Sequence, residues 1–379
     1  MRLGCATLRK MPRPVLLLSL MLDQGGSERQ LTEMALALDR NRYQPHVGTF
    51  RAWGMRAEEL RAAGVPVLDL AVRSFRSMGA LRAAWMLRGY IRKQGIELVH
   101  AFDAPLTVFS TPVTRYLTRA AMVSSQRGHR ALTPEFRRLL RFTDSRVDAI
   151  VVNCDYLKRH LTEDEAVAER RIEVCFNGVN LARFPATVPQ RPAALAGART
   201  VIGTLCALRP EKGLLILLEA FARLDPQKQG LKLAVVGSGL QRETLIQCAH
   251  QLGIAGECIF EPATADIAPW LKAMDIFVMP SYEEAFSNAL MEAMACRCAV
   301  VATNVGGNPE LVDASRGLLV PPGEPDAMAG ALQQLVADTT MREQVADAGN
   351  RFVRENLARE RAASRLADIY DRVLSNRRR

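Results

Sequence analysis

Short apolar runs, each closed by turn residues, alternate with helix-period segments through nearly the whole chain, and the pattern is set down twice. In the first half, residues 15–22, 44–50, 66–70, 98–101, 121–124 and 149–153 read as strands. Residues 28–38, 55–63 and 78–94 carry helical periodicity between them. Strands apolar on both faces and separated by helices belong to a parallel sheet, because each parallel connection needs a crossover and the crossover helices cover the sheet. Residues 185–199 (PATVPQRPAALAGAR) interrupt the pattern with Pro and Ala and no periodicity, which reads as a linker. The alternation then restarts. Strands are expected at 201–205, 232–236, 258–261, 276–279 and 299–303, and helices at 214–224, 240–252, 267–274, 288–295 and 325–338. A final amphipathic helical stretch covers 341–374. The fold class expected is α/β, with two doubly wound parallel-sheet domains.

The length supports this division, since 379 residues correspond to about two ordinary domains. With 49% hydrophobic and 24% charged residues the chain has material for two cores, which excludes a disordered or collagen-like protein. Eight cysteines are scattered without a CxxC pair or a His/Cys cluster, as expected of buried thiols in a reducing compartment rather than of a disulfide scaffold or zinc site. No apolar stretch approaches the ~20 residues that span a bilayer. The basic start RKMPRPVLLLSLMLDQGG superficially resembles a signal peptide, but its apolar run passes directly into Gly25-Gly26 and a helix. It reads as a first strand, with Met11 a second candidate start and residues 1–10 a leader. No Asp-x-Asp pair is present, and the nearest acidic run, Glu163-Asp164-Glu165, sits on a polar helix. No metal site is expected.

Ligands of open α/β sheets bind beyond the carboxyl ends of the strands, so strand-to-helix turns are the places to search. The turn Asp23-Gln24-Gly25-Gly26-Ser27 brings two glycines to a helix start, where backbone N–H groups face outward. A tight turn capped by Ser27 explains the same residues. Val236-Gly237-Ser238-Gly239 resembles the start of GxGxxG, with Glu261 further on, but Arg242 stands where the third glycine belongs, which weakens a nicotinamide reading. Leu208-Arg209-Pro210-Glu211-Lys212-Gly213 places two cations at the mouth of the second sheet. Asn304-Val305-Gly306-Gly307 is a fourth glycine turn. Together these turns suggest a nucleotide held mainly by the second half.

The densest segment is residues 275–312, DIFVMPSYEEAFSNALMEAMACRCAVVATNVGGNPELV. Glu284 stands eight residues before Glu292, the first at a loop or helix start and the second two turns into the helix. A solvated helix face explains such a pair equally well on spacing alone. The ordered set GGSER, NGVN (177–180), LRPEKG (208–213), VVGSG (235–239), EEAFSNALMEAMA (283–295) and GGNPE (306–310) goes further. It resembles the retaining glycosyltransferases of the GT-B fold, family 4 (glycosyl transferases group 1), over residues 15–320.

The resemblance implies two Rossmann-like domains with a deep cleft between them. Residues 12–185 would form the acceptor domain, 186–199 the linker and 200–355 the nucleotide-sugar domain. Residues 356–379, with YDRVL at 370–374, would be a helix returning to the first domain. By matching position Lys212 would contact the donor diphosphate, Glu292 the ribose and Glu284 the transferred sugar. Phe286, Ser287 and Asn288 would lie near the sugar and phosphate. Gly25 and Gly26 would approach the phosphates, Gly237 would line the donor site and His129 would sit near the reacting centre. Two departures stand out. Ala207 occupies the place of the family's usual phosphate-binding Arg, so that Arg209 would substitute. Arg297-Cys298-Ala299 replaces a frequent Gly-x-Pro.

The activity so implied is retaining, metal-independent transfer of a hexosyl group from a nucleotide-sugar to a glycan or lipid-linked hydroxyl acceptor, in cell-surface glycan, polysaccharide or glycolipid synthesis. A nucleotide-sugar 2-epimerase of the same fold, or a non-catalytic sugar-nucleotide binder, are the alternatives. Charge adds one expectation. The chain's formal net charge is +10, and residues 1–185 hold 29 Lys+Arg against 18 Asp+Glu. No acid interrupts Arg73, Arg76, Arg82, Arg88, Arg92 and Lys93, among which lie Trp85, Met86, Leu87 and Tyr90. Residues 73–93 are therefore expected to rest on an anionic membrane surface, placing a cytoplasmic protein on the inner face of the membrane, unless they form a docked helix with a solvated basic face. With 6% aromatic residues and no nucleic-acid-binding motif, nucleic acid is not an expected partner.

Overall fold

The structure, a computed structural model, describes residues 11–23, 25–72, 77–128, 133–185 and 191–377. The candidate leader 1–10 lies outside them. The chain forms two compact units. One comprises residues 1–153, 158–178 and 359–379, the other 154–157 and 179–358. The chain thus crosses between units at 153/154, 157/158, 178/179 and 358/359, whereas the sequence reading has its boundaries at 185 and 355.

The first unit runs β1 (Arg13–Ser19), α1 (Gly26–Ala37), β2 (Tyr43–Thr49), α2 (Met55–Ala62), β3 (Val67–Asp69), α3 (Met78–Lys93), β4 (Leu98–Ala101), α4 (Ala104–Leu117), β5 (Ala121–Gln126), α5 (Pro134–Asp144), β6 (Ala149–Val152), α6 (Asp155–Glu163) and β7 (Ile172–Val174). Its seven strands lie in the order β3-β2-β1-β4-β5-β6-β7, all parallel. The second unit runs β8 (Thr200–Leu205), α7 (Leu214–Ala222), α8 (Pro226–Gln229), β9 (Leu231–Val236), α9 (Arg242–Gln251), β10 (Cys258–Glu261), α10 (Ala268–Ala273), β11 (Ile276–Met279), α11 (Asn288–Ala295), β12 (Ala299–Thr303), α12 (Asn308–Leu311), β13 (Leu318–Val320), α13 (Pro325–Ala337) and α14 (Thr339–Asn356). Its six parallel strands follow the order β10-β9-β8-β11-β12-β13. In each sheet the order reverses once, between β1 and β4 and between β8 and β11, which opens a crevice beyond the carboxyl ends of those strands.

Burial explains the strands. Val15, Leu16, Leu17 and Leu18 of β1 are wholly buried, as are Val278 of β11 and Val300 and Val301 of β12, because helices cover both faces. The last helix, α15 (Arg359–Asn376), belongs to the first unit. Its Leu366, Ile369 and Tyr370 complete the core around Val15, Leu31 and Met34. Tyr43 Oη donates to Asp371 at 2.6 Å, and Arg42 pairs with the same carboxylate at 2.6 Å.

Several elements depart from the sequence reading. The helical stretch over 341–374 is made of two helices, α14 and α15, parted at Leu357–Ala358 where the chain changes units. The 14-residue α4 was not expected, since APLTVFSTPVTRYL contains Pro112 and many β-branched residues. Its hydroxyls compensate: Thr107, Ser110 and Thr111 donate to the carbonyls of Asp103, Leu106 and Thr107, and Asp103 caps the Leu106 N–H at 2.9 Å. The helix α5 and the three-residue edge strands β7 and β13 were also not expected, the strands being too short to carry periodicity.

Candidate functional site

Three loops meet at the carboxyl edge of the second sheet, following β8, β11 and β12. The first tightens into a 3-10 turn, Pro210–Lys212, and closes on Gly213 in the left-handed region (φ +64°) before α7 begins. A Cβ at Gly213 would stand 2.1 Å from the Pro280 carbonyl oxygen, so this loop packs directly on the backbone that follows β11. The Tyr282 N–H donates to the Glu211 carbonyl at 2.8 Å, which ties the two loops together. Lys212 Nζ then meets Glu284 Oε1 at 2.5 Å, and Ser281 Oγ donates to the same carboxylate oxygen at 3.1 Å. The side chains are only 15% and 12% exposed, so this is a nearly dry ion pair at the crevice between β8 and β11.

The third loop presses on the second. Gly306 has φ +54°, and a Cβ there would lie 1.5 Å from the Glu284 carbonyl oxygen, a contact no side chain tolerates. The Gly307 N–H donates to the Ala285 carbonyl at 2.8 Å. Glu284 is therefore gripped from both sides. Beyond it, Ser287 caps α11 by accepting from the Leu290 N–H at 3.3 Å. Asn288 opens that helix, Phe286 is buried before it, and Glu292 is buried one turn further on.

Of the residues singled out in the sequence, Lys212 and Glu284 are brought into contact, and Phe286, Ser287, Asn288 and Glu292 follow on the adjoining loop and helix. Arg209 is more than half exposed and pairs with Glu211 at 3.0 Å. In the family's Arg position, Ala207 follows Cys206, whose thiol is pushed up to about 11, chiefly by burial, and is therefore no nucleophile at neutral pH. Gly237 gives its N–H to the Glu261 carbonyl at 2.8 Å, so that amide already serves the sheet edge. Arg242, in the third-glycine position, opens α9 and pairs with Glu243.

Gly25 and Gly26 lie at the corresponding edge of the first sheet. Gly25 is the N-cap of the 12-residue α1 and supplies no side-chain cap, and the Glu28 carboxylate folds over it. Gln30 anchors this helix by exchanging two hydrogen bonds with the backbone of Gly178, both 3.0 Å. His129 lies outside the described residues, as do Arg73 and Arg76. The basic stretch that is described forms α3, which buries Ala80, Ala83, Leu87 and Ile91 and turns Met78, Leu81 and Trp85 outward. The Arg88 guanidinium stands 5.2 Å from the Trp85 ring centre, and Trp85 is 62% exposed. No described helix is long and apolar enough to cross a membrane.

Sequence reasoning passed over His100, at the end of β4. It is fully buried, with Nδ1 2.7 Å from Tyr370 Oη and Nε2 2.8 Å from Ser125 Oγ. Burial holds its pKa well below the usual histidine range, so it stays neutral. Only its position at a strand end could have marked it.

Two doubly wound parallel-sheet units with ligand-facing loops at their carboxyl edges are the architecture of the GT-B fold. Family profiles divide the chain between them: one described as "Glycosyltransferase Family 4" matches residues 24–183, and one described as "Glycosyl transferases group 1" matches residues 199–338. The chain belongs to this family. It is 30% identical over 353 residues to the D-inositol 3-phosphate glycosyltransferase of Salinispora tropica, covering 87% of this chain and 68% of that one. It is 33% identical over 167 residues to the lipopolysaccharide core biosynthesis glycosyltransferase LpsE of Rhizobium meliloti, covering 44% of this chain and 47% of the relative. A glycosyltransferase crystal structure from Rickettsia africae superposes with a TM-score of 0.84 at 22% identity, over 96% of this chain and 99% of that one. Anabaena Alr3699/HepE, solved in complex with UDP and glucose, gives 0.81 at 22% identity, over 94% and 99%.

Proposed function

We propose that this glycosyltransferase moves a hexosyl group from a nucleotide-sugar donor to a hydroxyl of a glycan or lipid-linked acceptor, with retention and without a metal. The observation that carries this reading is the Lys212–Glu284 pair at the crevice of the second sheet. A donor diphosphate replaces Glu284 as the counter-ion of Lys212. The freed carboxylate then accepts a hydrogen bond from a hydroxyl of the transferred sugar. Arg209 and the amides at the start of α7 face the developing charge on the leaving diphosphate, which is electrostatic stabilisation by groups already in place. The acceptor oxygen bonds to the anomeric carbon on the face the diphosphate leaves, and its proton passes to the departing phosphate oxygen, so no protein nucleophile is needed. Glu292, buried on α11, accepts from the ribose. The UDP complex of the Anabaena neighbour and the sugar-transferring relatives support a nucleotide-sugar as donor.

Thermal unfolding with UDP-, GDP- and ADP-sugars tests the donor directly. A ligand at 100 times its dissociation constant adds about 2.7 kcal/mol of stability, and one base should stand out. Stabilisation by none of the three would remove the reading. EDTA is expected to leave transfer unchanged, and strong inhibition would remove the metal-free part.

The outward face of α3 suits a peripheral membrane location, with its exposed Trp85 and Leu81, its cations and no acid. Flotation with anionic vesicles should carry the protein upward, and Trp85→Ser with Leu81→Ser should leave most of it behind. Equal flotation of both proteins, or of neither, would end this part of the proposal.

A further inference from the structure

A second cation occupies a sheet edge, and among the described residues no anion balances it. Arg127 follows β5 directly, at the carboxyl edge of the first sheet. Its Nη1 donates to Asn177 Oδ1 at 2.6 Å, and its guanidinium carbon stands 4.6 Å from the Phe102 ring centre. The two remaining nitrogens, Nε and Nη2, are buried and have no hydrogen-bond partner among the described residues. Nor does any described carboxylate pair with the guanidinium; the polarisable groups around it are Cys175 and Tyr370, both neutral at physiological pH. Burial pushes Arg127 down to about 10, so it remains a full cation at neutral pH.

Leaving a buried charge and two donors unanswered costs stability, and folds keep such features where they serve a ligand. The two open donors are not a random pair. Nε–H and Nη2–H run parallel on one edge of the guanidinium, the fork that takes two oxygens of one phosphate or carboxylate. Asn177 and Phe102 fix the plane of the guanidinium. Arg127 as a whole is only partly buried and the exposed Gly128 follows it, while Nε and Nη2 themselves lie out of contact with solvent.

We propose that Arg127 is an acceptor-specificity residue: it grips a phosphate oxyanion of the acceptor through Nε and Nη2, so the acceptor is a phosphate- or diphosphate-bearing molecule. This rests on reading the first unit as the acceptor-binding half of a glycosyltransferase. The donor's own diphosphate is the other source of the same chemistry, and the experiment separates them.

Calorimetric titration of the full chain with inorganic pyrophosphate, with and without a saturating nucleoside diphosphate, is compared for wild type, Arg127→Met and Arg127→Lys. The wild type should still bind pyrophosphate when nucleotide is saturating. Both variants should lose about ten- to hundredfold in pyrophosphate affinity, the worth of charge-assisted hydrogen bonds to a fork that Met and Lys lack. Their nucleotide affinity should be unchanged, and Arg127→Met should melt no lower than wild type. Unchanged pyrophosphate affinity in the variants overturns the proposal, as does absence of pyrophosphate binding by the nucleotide-saturated wild type. A parallel fall in nucleotide affinity also overturns it, by giving Arg127 to the donor. If Arg127→Met does not fold, the lysine variant carries the comparison. If no nucleotide binds at all, the donor reading fails, and titration with pyrophosphate alone still decides whether Arg127 holds an anion.

Discussion

The two sheets end in the same way topologically and differently in charge. At the edge of the second, the cation Lys212 is answered within 2.5 Å by Glu284, and both are gripped by glycine-packed loops. At the edge of the first, Arg127 is answered by an amide, an aromatic face and nothing anionic among the described residues. The buried acid beside β5, Asp144 at the end of α5, is turned to neutral partners instead, accepting from Ser124 Oγ at 3.1 Å and Gln126 Nε2 at 2.8 Å. A paired cation can be stabilising without its ligand; an unpaired one is held at a cost until the ligand arrives. The difference teaches that one edge is balanced in the absence of substrate and the other is not.

Stability measurements break or sharpen this contrast. Removing the paired cation with Lys212→Met strands a nearly buried carboxylate and should lower the unfolding free energy by about 3 kcal/mol in urea. The equivalent change at Arg127 should not lower it. Equal losses at the two sites would erase the distinction.

Asp144 gives the next largest effect. Burial raises its pKa to about 6 from an ordinary 3.8. The native state therefore binds more protons than the unfolded chain between about pH 4 and 6, and stability falls as pH rises through that window. The full difference is about 3 kcal/mol at 1.36 kcal/mol per unit. Asp144→Asn should flatten that slope, read from urea midpoints at pH 4 and 7, and an unaltered slope would show that Asp144 is solvated.

The smallest effect belongs to Arg297, which replaces the family's frequent glycine and sits at φ +62°. It holds Asp347 at 2.5 Å, an exposed pair. Arg297→Gly relieves about 1 kcal/mol of left-handed backbone cost and loses a surface ion pair worth less than that. A slight rise in melting temperature is expected, and a fall would mean the ion pair outweighs the strain.

How much of this was legible in the sequence follows from the kind of signal each feature leaves. Lys212 and Glu284 belong to an ordered set of motifs, which singled both out although 72 residues separate them. Their contact was not readable, because it depends on Gly213 and Gly306 letting three loops stack. The strands buried on both faces announced the parallel sheets. The helix α4 did not announce itself, because its propensity argues against a helix and its serine and threonine back-bonds appear only in three dimensions. Arg127 lay in plain view within SSQRGHR, but a lone arginine is usually solvated, and only its burial without a paired acid among the described residues distinguishes it.

The most direct test of the central claim is sugar transfer by Lys212→Ala, run with the stabilising nucleotide-sugar at a temperature where circular dichroism shows the variant folded. On the proposal that Lys212 meets the leaving diphosphate, its loss should cut turnover by about a hundredfold or more. Transfer near the wild-type rate would contradict the assignment of the donor site to the Lys212–Glu284 crevice.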